Sequence, residues 1–296
     1  MLPVRVLENS VRRAPLGLRF IDLAQGVAVS DGLEVLAWPL GVRREARYAV
    51  RSPLSGIYGY RALPGLRLFE VGQQPASFWC TPGVSSPPHS IELPGLEQPL
   101  DPDFEGPLPN FALQVSDHQG RFLPLSLLLC LPKESLVEVP LFSSPSRPAL
   151  SGQGVLRGQV WDAASDRPAA WALVSAAPDD TTSYASLADA RGVFTLFLPY
   201  ASTLPPLMGS PPHGGDELRW ELTIRVAYEP AGQQRLIGQE PPDLRSLLEQ
   251  APAQIHDQVG VVADHIIRLL HLGQELQVVT ENLDPPNRMR LLVDSA

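Results

Sequence analysis

The sequence has almost no lysine, little cysteine and no long apolar run. Of its 23 basic residues only Lys133 is a lysine. That skew reads as GC-rich coding and carries no functional weight. The two cysteines, Cys80 and Cys130, form no C-x-x-C pair and are too few for a disulfide framework. Both lie in apolar surroundings and read as buried free thiols, with a bridge between them left open. The most apolar stretch, Phe122 to Pro132, spans about 11 residues and contains Pro124. It is too short to cross a bilayer and reads as a buried strand, so no membrane insertion is expected. The opening MLPVRVLENSVRRAPL lacks an apolar core, so no Sec-type signal peptide is expected and synthesis is placed in the cytoplasm. Charged residues make up 19%, below the usual level of roughly 25%. The net charge of −9 disfavours general nucleic-acid binding.

Proline is abundant instead. The chain has 32 prolines in 296 residues, about twice the usual share of roughly 5%. That density breaks long helices and favours short strands between turns. Apolar residues at 44% suffice for real cores and exclude a fully disordered chain. The charge is segregated: residues 1–67 carry ten arginines against five acids, and the remainder carries 13 basic against 27 acidic residues. Such asymmetry suits subunits that dock head to tail.

An internal repeat organises the chain. FIDLAQGVAVSDGLEVLAWP (20–39) and QVWDAASDRPAAWALVSAAP (159–178) each run an apolar strand into an aspartate, Asp22 or Asp162, then a turn and a second apolar strand. SPLSGIYGYRALP (52–64) and ADARGVFTLFLP (188–199) each follow with a turn, a glycine, alternating apolar residues and Leu-Pro. The Asp-to-Gly spacing is 34 residues in one copy and 30 in the other. Gly56 and Gly192 suit turns of positive φ, and proline ends ladder pairing. Each copy reads as a small antiparallel β-sandwich.

The boundaries follow from composition. Residues 1–141 form an N-terminal sandwich with a proline-rich loop at 82–109. Residues 142–154 (FSSPSRPALSGQG) read as a linker. Residues 155–230 form the second sandwich. Residues 231–296 form a β-rich C-terminal extension, with a short helix at 244–250 and a hairpin pairing 275–281 with 288–294. Residues 259–273 fit a strand by their β-branched content and a helix by their spacing. The fold class is thus all-β: tandem transthyretin-like or immunoglobulin-like sandwiches with a C-terminal β-rich extension.

Gly158, Val160 and Asp162, the stretch RPAAWA at 167–172, and ADARGVF at 188–194 form a specific pattern. By it, residues 155–199 resemble the carboxypeptidase regulatory-like domain, a transthyretin-like sandwich. The resemblance implies a fold rather than a chemistry, because that domain is usually a non-catalytic accessory module. The order LRFIDLAQG, SPLSGIYGYRALPGLR, VSDHQGRFLPL, PLFSSPSRP and VLRGQVWD is also similar, over nearly the full length, to carboxypeptidase-regulatory-like proteins encoded among components of phage-tail-like contractile injection systems. That likeness implies a structural part, such as a baseplate or accessory component, bound to other protein subunits of a large particle, retained in the cell or released from it.

Catalytic readings fail on spacing. His256, His265 and His271 are nine and six apart, not the i, i+4 that sets two ligands on one helical face, and no H-E-x-x-H occurs. No G-x-S-x-G is present. The hydrolases of purine breakdown and the intradiol dioxygenases, which share related sandwiches, need clustered His with Arg or Tyr that this chain lacks. Asp162, Asp166, Asp179, Asp180 and Asp189 form no D-x-D-x-D calcium loop and read as solvated turn acids. No enzyme activity, cofactor or metal is expected. Trp38, Trp161, Trp171 and Trp220 lie in strand patterns and read as core. Trp79, in SFWCTP, is the candidate exposed aromatic for partner contact. Arg43, Arg44, Arg47 and Arg51 lie on a loop between strands, either solvated or docked on an acidic partner surface. A carbohydrate- or surface-binding module is the alternative function, and it requires an aromatic row on one sandwich face.

Overall fold

Short alternating apolar segments between glycine and proline turns fold here into twenty strands among the described residues. The computed structural model describes residues 12–72, 111–133, 136–179, 182–200, 219–235, 241–284 and 289–296. The first half contains β1 (Gly17–Asp22), β2 (Val27–Val29), β3 (Leu33–Pro39), β4 (Arg47–Tyr48), β5 (Val50–Arg51), β6 (Tyr58–Gly59), helix α1 (Arg67–Glu70), β7 (Phe111–Asp117), β8 (Leu125–Leu129) and β9 (Leu136–Leu141). The second contains β10 (Gln153–Asp162), β11 (Arg167–Pro168), β12 (Leu173–Ala177), β13 (Tyr184–Leu187), β14 (Val193–Pro199), β15 (Arg219–Ala227), helix α2 (Leu244–Leu248), β16 (Gln254–Gln258), β17 (Val261–Ala263), β18 (Ile266–His271), β19 (Glu275–Val278) and β20 (Arg290–Asp294). The fold is all-β with two short α-helices among the described residues.

The repeat holds at the level of topology. In the first half one sheet runs β2-β1-β6-β5 with β9 parallel to β1, and the facing sheet runs β4-β3-β7-β8. In the second half β10 takes β11 and β14 as antiparallel partners, and the facing sheet runs β13-β12-β15-β18. The turn after the first strand is the same device twice. Asp22 Oδ1 accepts the Ala24 N–H at 2.9 Å, and Asp162 Oδ1 accepts that of Ala164 at 3.3 Å. Asx turns of this kind bring the chain back into a hairpin. Gly26 closes the first turn at φ 66° and Asp166 the second at φ 50°.

The sandwiches are not purely antiparallel. β9 lies parallel to β1 over six residue pairs. β19 and β20 lie end to end along β10, both parallel to it, against Val155–Gly158 and Gln159–Asp162 respectively. Being parallel to one strand, they are parallel to each other, so the expected 275–281/288–294 hairpin does not form. β20 pairs antiparallel with β16 instead. Residues 259–273 are strand on both sides of a turn, with β18 antiparallel to β15. The C-terminal segment is β-rich as expected, and its strands are built into the second sandwich.

The segment 142–154, a linker by composition, is part of the interior. Phe142, Ser143 and Arg147 are buried. Arg147 Nη2 meets Asp22 Oδ2 at 2.6 Å, and its Nη1 donates to Asp22 Oδ1 at 3.0 Å and to Ser143 Oγ at 2.9 Å. The same guanidinium lies between the rings of Phe122, from the first sandwich, and Phe197, from β14. Arg157 of β10 donates to the carbonyls of Pro145 and Arg147 and to Thr195 Oγ1. The two halves also share a core: Trp171, Leu173 and Leu187 of the second, with Leu244, Leu247 and Leu248 of α2, pack in one cluster with Phe20, Leu113 and Leu127. The second cluster fills the second sandwich around Leu156, Phe194, Ile224 and Val293.

Cys130 corrects the thiol expectation, because it is bonded in a disulfide. Its one possible partner within the chain, Cys80, lies outside the described residues.

Two mutational outcomes follow. Arg147→Ala leaves the Asp22 carboxylate buried without its partner and lowers the unfolding free energy by about 3–5 kcal/mol. Arg147→Met combined with Asp22→Asn recovers at least half of that loss in urea titrations. Gly192 has φ 74°, and a Cβ there would collide with the Val160 carbonyl, a backbone atom. At Gly56, φ 69°, a Cβ would press 2.9 Å from Ser30 Cβ, a milder clash than at Gly192 but one that only a shift of backbone relieves. Gly192→Ala therefore costs about 3 kcal/mol or more and Gly56→Ala about 1–2 kcal/mol by the same measurement.

Candidate interaction surface

Each sandwich has two open sides where its sheets end, and the fold closes one side of each. In the first sandwich, the β8 side is covered by α2. Asp243, the N-cap of α2, accepts the Leu128 N–H of β8 at 2.7 Å and that of Ser246 at 3.4 Å. Burial pushes the Asp243 carboxyl above its usual range, resisted by these N–H groups. In the second sandwich, the β13/β14 side faces the first: Tyr184, Ser186 and Phe197 line a narrow gap with Leu23, Ala24 and Ser143. The remaining sides, β4/β5 and β17/β18, lie at the outer ends of their sheets.

At the β4/β5 side the chain steps from one sheet to the other through Ala49, whose N–H bonds to the Val35 carbonyl at 2.8 Å. This places the four expected arginines around one corner, two on the connection between strands and two on the short strands themselves. Arg43 and Arg44 lie on a 3-10 turn (Arg43–Glu45), Arg47 on β4 and Arg51 on β5. All four are exposed. Arg43 lies 5.5 Å over the Trp38 ring and bonds to Gln114 Oε1 at 3.3 Å. Arg51 donates to the Ser30 carbonyl at 2.6 Å, and Arg47 only to the adjacent Ala46 carbonyl. Between them stand Tyr48, 64% exposed, and Val50, 53% exposed, with Leu54 fully in solvent at 98%. Beneath this corner, burial pushes the Tyr58 phenol up, against the opposing pull of the Arg51 charge. Arginine on an edge strand deters unwanted pairing, and arginine with an exposed tyrosine is also the composition of a protein contact.

The β17/β18 side is apolar and was missed by reasoning from sequence. Val259, Val261, Val262, Ile267, Leu269 and Leu272 are all at least 40% exposed. Their alternation with Ile266 and Leu270, which are buried, makes both faces of β18 apolar. The signal was present in VVADHIIRLLHL, where no face is polar. Carboxylates border this corner: Asp264 is exposed in the turn between β17 and β18, and Glu281 is bridged to Gln258 beside Val259. Arg268 is turned inward, held by Asp257 Oδ1 at 2.7 Å.

The other candidate residues are dispersed. Trp79 lies outside the described residues, as do His89, His213 and Asp180. Trp38 and Trp171 are buried. Trp161 lies under the Arg290 guanidinium and donates to Asp166 Oδ1, and Trp220 packs on Tyr200. These four form no exposed aromatic row. His256 pairs with Asp294 at 3.0 Å while His265 is exposed, and no group of three metal-ligating side chains comes together among the described residues. Asp162 corrects the reading of turn acids as solvated: it is buried and accepts the Ser165 hydroxyl at 2.5 Å. No helix among the described residues is long and apolar enough to cross a membrane.

If the corner arginines are free for a partner, they contribute little to folding. Arg44→Ala and Arg47→Ala each shift the unfolding free energy by no more than about 0.5 kcal/mol, and Arg43→Ala by slightly more through its contact with Trp38. Urea titration checks this.

No family model and no curated protein matches the chain. Among solved structures it is similar to the shaft pilin spaA from Lactobacillus rhamnosus GG, at 9% identity over 97% of this chain and 98% of that one, with a TM-score of 0.25. At that score the likeness carries no argument for function.

Proposed function

We propose that this chain is a non-enzymatic structural and interaction protein, a baseplate or accessory component of a phage-tail-like contractile injection particle. The observation that carries the reading is the joint between the halves. Arg147, buried between Phe122 and Phe197 and paired with Asp22, makes one stiff body of two sandwiches. Among the described residues each sandwich then holds an unpaired sheet side at a fixed position. A part that transmits load within a particle needs stiffness between its contacts, and unpaired strand edges offer neighbours a route of attachment by strand addition. The resemblance of residues 155–199 to a non-catalytic accessory domain, and the full-length likeness in segment order, point the same way.

The experiment is to tag the protein in its source organism, sediment a lysate and image the tagged fraction by negative-stain microscopy. The tag is expected to co-sediment with sheathed tubular particles. A tagged species that stays in the supernatant, with no particle bearing it, overturns the assignment.

A further inference from the structure

We propose that the β17/β18 corner of one copy docks on the β4/β5 corner of a second copy of the same chain, head to tail. The inference deepens the reading of the chain as an assembly component by naming one partner. It rests on three observations. First, each sandwich spends one sheet side on its neighbour within the chain, β8 under α2 and β13/β14 against Leu23, Ala24 and Ser143. Among the described residues the two unspent sides are therefore the outward ones, and a two-body chain with one free side on each body can be joined in series. Second, the corners are complementary in charge. The β4/β5 corner carries four exposed arginines against Glu45. The β17/β18 corner carries exposed Asp264, Glu281 and Asp284, with exposed Glu221 across from Leu269; of the guanidinium groups beside it, Arg268 is engaged with Asp257 and Glu281, and Arg219 stands at the far end of β18, across from His271. Third, both corners have apolar residues in solvent: Tyr48, Val50 and Leu54 on one, Val259, Val261 and Val262 on the other. An interface needs an apolar centre with a polar rim, and these corners supply both. Two copies of either corner facing each other would set like charges together, which is unfavourable.

A head-to-tail contact uses two different patches, so it does not close on itself as a twofold dimer does. That property gives the test. The full chain, in non-reducing buffer, is examined by sedimentation velocity across concentration and salt. The wild type is expected to form species larger than one chain that shrink as salt rises, because exposed charges are screened. Arg44→Glu with Arg47→Glu blocks one corner; Val261→Gln with Asp264→Gln blocks the other without creating a charge complementary to the first variant. Each double variant alone is expected to sediment as one chain, with association weakened at least tenfold, and circular dichroism confirms that each is folded. An equimolar mixture of the two is expected to give a two-chain species and nothing larger, through the one intact pair of corners.

Three results overturn the proposal: a wild type that stays monomeric at every concentration, a double variant that still dimerises alone (a twofold contact through one corner), or a mixture that remains monomeric. The outcome is separate from that of the particle experiment. A monomer in isolation that still co-sediments with particles refutes self-docking and leaves the particle reading in place.

Discussion

The buried contact between Arg147 and Asp22 determines the form of this molecule. An unpaired guanidinium or carboxylate inside a protein is costly, and a pair is tolerated only with close geometry and full hydrogen bonding. Here Asp22 also closes the first turn of the first sandwich, Ser143 accepts from the same guanidinium, and two phenylalanines from different halves flank it. Moving one sandwich relative to the other would uncover the charge. The angle between the halves is thus set by electrostatics as well as by apolar contact, and charge burial tolerates misalignment poorly.

Much of the fold was legible because its signals are local. Asp22 and Asp162 announce an Asx turn from their own neighbours, and Gly56 and Gly192 announce positive φ at the head of a strand. From these four residues the repeat follows, and with it a small sandwich in each copy. The corner arginines were legible as charge, although their position on two sheet ends depends on Ala49 crossing between sheets.

What was not legible is set by distant partners. Arg147 sits in a serine- and proline-rich stretch whose local composition says linker, and its partner is 125 residues away. The residues of α2 look like any amphipathic turn, and nothing nearby says that they pack in the core of the first sandwich. Val259 to Leu272 resemble core by composition, so their exposure can be seen only once every other apolar face has found a neighbour. Cys130 has apolar neighbours in sequence, which favoured a free thiol, and a disulfide leaves no trace in local composition.

The parallel seating of β19 and β20 on β10 has a consequence for the order of events as the chain is made. The neighbours of β10 on one side follow it in the sequence by more than a hundred residues. A growing chain therefore holds an incomplete strand ladder until those residues have emerged, and pairing across such separations is slow. The first sandwich is in the same position, because α2 covers it from the second half. Neither half is complete on its own. Loss of the final strand through a premature stop would leave β10 with an unpaired edge in the centre of a sheet, a site for aggregation rather than a slightly shorter protein.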